Sequence, residues 1–134
     1  MPVISYSLSV LILATIALAS QAADRDEAIA YLDSAAAEYQ DLAMTIWDHA
    51  ELGYQENRSS TLLQETLAAE GFAVEAGVAD IPTAFVASYG SGEPVIGLLA
   101  EFDALPGISQ SNEPVRQLVE GKNSGHACGH HLFG

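Results

Sequence analysis

The stretch that decides the fold is "PVIGLLAEFDALPG", residues 94–107, in which an apolar run meets two acids and then a turn. Positions 95 to 100 show almost no polar alternation, and such a run is typical of a central strand that helices cover on both faces. The stretch therefore predicts an α/β domain of layered helices and sheet rather than a β-sandwich. In open α/β sheets functional groups gather just past the carboxyl ends of strands, so the acids after Ala100 are candidate site residues.

These acids are Glu101 and Asp103. Because they stand two apart, their side chains are expected on the same side, before Pro106 and Gly107 turn the chain away. Two carboxylates there suit metal support or proton transfer, and the alternative is that both simply face solvent. The connection from Asp103 to Cys128 has no clear periodicity, and long irregular connections tend to be functional or disordered.

The second candidate site is "GHACGHHLFG" at positions 125 to 134, where three of the four histidines surround the only cysteine. Cys128 and His130 are separated by one glycine, which lets a thiolate and an imidazole converge on one ion if the backbone turns sharply. Two alternatives stay open: a buried, inert thiol beside surface histidines, and a catalytic Cys–His nucleophile pair. The nucleophile pair is less favoured, because residues two apart rarely align sulfur and imidazole for proton transfer. His126 and His131 would orient the ligands or remain solvated.

Two helices and two short strands are predicted before residue 94. The first helix lies in "DRDEAIAYLDSAAAEYQDLAMTIWDHAEL", where Trp47 and His49 are expected to pack or cap at the end. Its apolar stripe is Ile29, Leu32, Ala36, Tyr39, Leu42 or Ala43, and Ile46. The second helix is expected to begin after an Asn57 N-cap and to stop at Gly71. The stretches "FAVEAG" and "TAFVASYG" then predict strands.

Residues 1–22 predict a secretory signal peptide, because they carry no charged side chain and contain an apolar run of about a dozen residues. Ser20 and Ala22 occupy the small-residue positions before a cleavage site, so the mature chain should begin at Ala23 in the periplasm or as a secreted protein. The alternative is an uncleaved membrane anchor, since no Lys or Arg precedes the apolar run. The run is shorter than the roughly 20 residues that span a bilayer, so we favour cleavage and no stable membrane association.

Length and charge limit the remaining possibilities. The 134 residues suffice for one domain with a modest core, here residues 23–134. Eighteen acidic residues against four basic ones give a net charge of −14. Such a surface disfavours binding to nucleic acid or to an anionic membrane.

Several ordered motifs together resemble the zinc-dependent aminoacylase and carboxypeptidase family, in its amidohydrolase branch. They are "DHAELGYQE", "IPTAFVASYGSGEPVIGLLAEFDALPGISQ" and "GHACGHHLFG". The resemblance implies the amino-terminal part of a layered helix-sheet-helix metallohydrolase domain, truncated, and two metal ions, Zn²⁺ or Mn²⁺, in the complete enzyme. It implies that Cys128 and His130 are metal ligands, that Glu101 stands where the branch has a ligand-orienting acid, and that Asp103 matches the acid of the Asp-Ala-Leu-Pro segment. His131 departs from the Asp or Asn that relatives usually carry.

The activity implied by the resemblance is hydrolysis of the amide bond of an N-acyl or N-aroyl amino acid, such as p-aminobenzoyl-glutamate, by a homodimer or heterodimer. The general-base glutamate and further ligands lie downstream in family members, so we expect this chain to carry only part of the site. The isolated chain is then expected to lack amidase activity. The alternative is a non-catalytic remnant or weak metal-binding module.

Overall fold

The computed structural model describes the backbone of residues 4–134 and side chains from residue 24 onward. The chain divides into two compact units between Gln40 and Asp41. Helix α1 has the bounds Ile4–His49. The first three residues of the predicted signal peptide, and all of its side chains, lie outside the described part.

The long amphipathic helix expected from the sequence is present as the second half of α1. Its apolar stripe is buried only near the carboxyl end, where Ile46 is fully buried, whereas Ile29 and Leu32 are exposed. In the part of the chain that the structure describes, no helix combines the length and apolar character needed to cross a membrane.

Helix α2, Asn57–Ala69, begins one position earlier than expected, at the predicted cap residue itself. Asn57 is therefore the first helical residue, and Glu56 takes the cap position without a capping side-chain hydrogen bond. The carboxyl end is as predicted: Gly71 has a φ of +89°. There the Phe72 N–H donates to the Leu67 carbonyl at 3.0 Å and the Gly71 N–H to the Ala68 carbonyl at 3.1 Å. This is the paired hydrogen bonding of a Schellman ending, in which glycine supplies the left-handed residue.

Both strands predicted after α2 are confirmed. Strand β1, Ala73–Ala76, pairs antiparallel with β2, Phe85–Ser88, with Ala73 opposite Ser88. Helix α2 contacts this hairpin, and the Ser60 hydroxyl donates to the Thr83 carbonyl at 2.6 Å. A second, very short antiparallel pair joins β3, Leu105–Pro106, to β4, Ser124–Gly125.

Residues 94–101 differ from the predicted central strand. They form no strand, and the four large apolar side chains of the run are exposed: Val95, Ile96, Leu98 and Leu99, with exposed fractions of 80 to 95%. A strand exists only where its backbone groups find partners in a neighbour, and no strand within residues 4–134 pairs with this segment. The described residues thus form a mixed α and β structure, while the layered metallohydrolase arrangement stays a prediction.

Candidate functional site

The "DALP" segment lies beside the turn that follows α1. Leu52 forms a parallel bridge with Ala104, and the Ala104 N–H donates to the Glu51 carbonyl at 2.7 Å. Ala104 is buried, 2% exposed. The backbone next to Asp103 is therefore attached to the carboxyl end of α1, about 50 residues away in the sequence.

The segment before the cysteine is attached to the same helix end by three alternate side chains. Each donates to a backbone carbonyl. Lys122 Nζ donates to the Asp48 carbonyl at 2.8 Å and Ser124 Oγ to the Ala50 carbonyl at 2.5 Å. His126 Nε2 donates to the Ile46 carbonyl at 3.1 Å. The pairing of Leu105 with Gly125 joins this segment to the "DALP" segment. A Cβ at Gly125 would lie 2.9 Å from the Ile108 carbonyl oxygen, so the close approach of these two backbone segments requires glycine.

His130 lies between the two predicted acids. Its Nδ1 is 2.7 Å from Asp103 Oδ1, and its Nε2 is 3.0 Å from Glu101 Oε2. Gly129, with a φ of +81°, precedes the short 3₁₀ turn His130–Leu132 and permits the sharp bend. The structure thus brings together three of the four residues that sequence reasoning selected.

Cys128 is a free, exposed cysteine. The structure therefore does not match the alternative of a buried, inert thiol. The Cys–His nucleophile alternative is also disfavoured, because both ring nitrogens of His130 lie within 3.0 Å of carboxylate oxygens. Among the residues that the structure describes, no group of three or more His, Cys, Asp and Glu side chains has an arrangement that could hold a metal ion.

His126 and His131 pack against Trp47 instead of facing solvent freely. The Trp47 and His131 rings are 4.9 Å apart, and the two histidine rings are 5.2 Å apart. Burial lowers the pKa of both histidines, which keeps them neutral. Because a carbonyl oxygen only accepts, His126 carries its proton on Nε2. Its buried Nδ1 has no hydrogen-bond partner among the described residues.

Glu51 is a structural residue whose role the sequence did not predict, although it lies within the quoted "DHAELGYQE" motif. Its carboxylate accepts the N–H groups of Ser59 at 2.8 Å and Arg58 at 3.0 Å, and the Ser59 hydroxyl at 2.8 Å. His49 Nδ1 is 3.2 Å from the same hydroxyl, so His49 packs at the helix end as expected. Burial raises the pKa of Glu51, but the hydrogen bonds from Ser59 and Arg58 outweigh it and leave the pKa lowered.

The donor types at this site are among those that zinc takes in proteins, although no group of three donors among the described residues is arranged to hold an ion. Thiolate sulfur and imidazole nitrogen are ligands that zinc takes in proteins, and both are present on one short turn. The Glu101 side chain is 58% exposed, so it can move away from Nε2, whereas the less exposed Asp103 would keep Nδ1. A histidine held by a carboxylate on one nitrogen and by a metal on the other is a recurrent arrangement.

The curated proteins that this chain matches include a hydrolase subunit, a carboxypeptidase and a dipeptidase. No protein-family model matches it. It is 46% identical over 99 residues to a subunit of p-aminobenzoyl-glutamate hydrolase of Escherichia coli, covering 72% of this chain and 20% of that protein. It is 39% identical over 87 residues to thermostable carboxypeptidase 2 of Saccharolobus solfataricus, covering 63% of this chain and 21% of that protein. It is 32% identical over 115 residues to Xaa-Arg dipeptidase of Homo sapiens, covering 76% and 23%. The chain spans about a fifth of the length of these relatives.

Proposed function

Because this chain belongs to the amidohydrolase family of the hydrolases that it matches, we propose that it carries part of the active site of a metal-dependent amidohydrolase. The observation that carries the proposal is His130, held between Asp103 and Glu101 two positions after an exposed thiol. The proposed substrate is an N-acyl or N-aroyl amino acid of the p-aminobenzoyl-glutamate type. The relative named for that substrate supports this choice.

Each residue has a distinct part in this proposal. Cys128 and His130 would hold the metal, and the metal would supply polarisation of the amide carbonyl and activation of water. Asp103 accepts the Nδ1 proton of His130, which leaves the lone pair of Nε2 for the metal. Glu101 would leave Nε2 to a bound metal, and its exposed side chain would stay close to the site.

The residues described here supply only part of such a site. A catalytic zinc takes about three protein ligands, and a two-metal site takes more. We propose that the further ligands for two Zn²⁺ or Mn²⁺ ions lie in segments equivalent to those parts of the relatives that this chain does not span. The isolated chain would then bind zinc weakly through Cys128 without hydrolysing amides. The alternative function is a non-catalytic module that binds metal weakly.

We also propose the setting in which the enzyme works. One relative is named as a subunit, which supports a homodimeric or heterodimeric enzyme. Residues 1–22 support export to the periplasm or beyond the cell, without stable membrane association after cleavage. The net charge of −14 supports a small-molecule substrate rather than nucleic acid.

A hydrolysis assay on the product of the complete gene tests the proposal. The purified protein is incubated with Zn²⁺ or Mn²⁺ and a panel of N-acyl and p-aminobenzoyl amino acids. We expect metal-dependent hydrolysis that Cys128→Ser abolishes, and that Ser91→Ala, a control at an exposed serine, leaves unchanged.

Two results would contradict the proposal. Full activity of Cys128→Ser would show that the Cys128 thiol has no role in the active site. Zinc binding without hydrolysis of any substrate in the panel would support the non-catalytic module instead.

A further inference from the structure

We propose that Lys122, Ser124 and His126 are positioning residues: they clamp the segment before Cys128 to the carboxyl end of α1 and thereby set His130 against Asp103. We call these three side chains the helix-end clamp. This inference rests on the proposed function, because it assigns the clamp a task in assembling the proposed metal site.

The chemistry of a helix end explains why the clamp forms there. The last four carbonyl groups of an α-helix have no partner within the helix, and they carry partial negative charge. In α1 this end reaches His49, and the clamp supplies donors to carbonyls in and just after the last turn. The Ile46 carbonyl also accepts the Ala50 N–H at 3.1 Å, so His126 is its second donor. The clamp residues alternate along an extended segment, so their side chains extend to the same side.

Of the His130–Asp103 pair, the clamp holds only the segment that carries His130. It holds the chain two positions before Cys128 and four before His130. The other half is held separately, by the hydrogen bond from the Ala104 N–H to the Glu51 carbonyl beside Asp103. Because both halves are fixed to the end of α1 and its following turn, this end determines the 2.7 Å separation of His130 Nδ1 and Asp103 Oδ1.

The three clamp residues differ in how strongly they should act. His126 is 5% exposed and Ser124 is half-buried, so water cannot readily replace their hydrogen bonds. The Lys122 ammonium instead meets the exposed carboxylate of Asp48, an ion pair that solvent screens. We therefore expect His126 to matter most and Lys122 least.

The decisive variants separate the hydrogen bond from general packing. His126→Leu removes the Nε2 donor, and His126→Gln keeps an N–H donor on a side chain of similar reach. Ser124→Ala is a milder second variant in case His126→Leu does not fold. Thr66→Ala is the matched control, because Thr66 Oγ1 also donates to a backbone carbonyl, that of Leu62 at 2.8 Å, away from the site.

The first measurement needs no metal. The Nδ1 proton of His130, held by Asp103, is followed by NMR in the metal-free protein labelled with ¹⁵N in its histidines. We expect a protected ring N–H signal in the parent protein, its loss through solvent exchange in His126→Leu, weakening in Ser124→Ala, and retention in His126→Gln and Thr66→Ala.

The second measurement is the affinity for cobalt(II), followed by thiolate-to-metal absorption at Cys128. We expect His126→Leu to weaken cobalt binding by about 10- to 100-fold, the range typical of groups that orient metal ligands, and His126→Gln to restore most of it. If cobalt never gives the thiolate band while the ring proton responds as expected, the clamp stands and the proposed metal site fails. An unchanged ring proton in both His126→Leu and Ser124→Ala would overturn the clamp.

Discussion

His130 has a carboxylate at each ring nitrogen, and the two carboxylates are not equivalent. Asp103 lies closer, at 2.7 Å, and its side chain is less exposed than that of Glu101. A short hydrogen bond to a carboxylate fixes which nitrogen carries the proton, and this leaves the other nitrogen for a metal. At the scale of single residues, Asp103 is therefore the acid whose removal should affect chemistry most.

We predict that Asp103→Asn in the active enzyme lowers turnover by about 10- to 100-fold, because the amide oxygen still accepts the ring proton but lacks the charge that makes the imidazole a strong ligand. The melting temperature should change little, since the pair is partly exposed. Turnover and thermal melting are measured together. Asp80→Asn, which removes the same charge at an exposed position, is the control. Equal turnover of Asp103→Asn and the parent would support the alternative in which Asp103 only faces solvent and has no part in the reaction.

At the scale of secondary structure, α2 is capped from a distance. Its own cap position, Glu56, makes no capping side-chain bond, and Glu51 instead accepts N–H groups of the first turn. The same residue offers its carbonyl to Ala104. One turn between the helices thus stabilises the start of α2 and fixes the acid segment of the site.

We predict that Glu51→Gln lowers the free energy of unfolding by about 1 to 2 kcal/mol, because it removes the charge and one of the two acceptors at the amino end of α2. Chemical denaturation at neutral pH measures the loss. Glu65→Gln, at an exposed position of the same helix, should lose much less.

The effect of Glu51→Gln should also depend on pH. The folded-state pKa of Glu51 lies below its unfolded value, so its contribution is present above the unfolded pKa and is lost as the pH falls through the folded pKa. The difference between the parent protein and the variant should therefore shrink at acid pH. A difference that stays constant on acidification would show that the carboxylate charge is not the cause.

At the scale of the whole molecule, large apolar side chains are exposed in several regions. They include α1, with Ile29 and Leu32, and the run that contains Leu98 and Leu99. The bond before Ala23, where cleavage is predicted, lies within the bounds of α1. The processing of this end therefore decides which part of α1 the mature protein keeps.

We predict that the exported protein begins at Ala23, because small residues precede that position and the apolar run is short. Intact-mass and amino-terminal analysis of protein from the periplasm or culture medium measures this. Ala22→Pro, which blocks the cleavage position, should accumulate as the uncleaved form. Retention of Met1 in the exported parent protein would favour a membrane anchor.

The sequence by itself determined the features that depend on neighbours along the chain. The periodicity of α1 and α2, the glycine ending at Gly71 and the two strands of the β1–β2 hairpin follow from local backbone preferences and from burial of one face, and the structure has them all. Glu101 and Asp103 were expected on the same side, and both contact His130, although the strand on which that expectation rested is absent. The motif resemblance further identified the family.

Only the tertiary structure decided which distant groups meet. A strand requires a hydrogen-bonding neighbour, so the apolar pattern of residues 95–100 could not by itself produce one. Likewise, no local signal shows that His126 donates to the Ile46 carbonyl 80 positions earlier. Nor does one show that the Glu51 carboxylate accepts an N–H from the first turn of α2. These contacts arise because buried donors and helix-end carbonyls must find partners, and which partners they find is determined by how the chain packs.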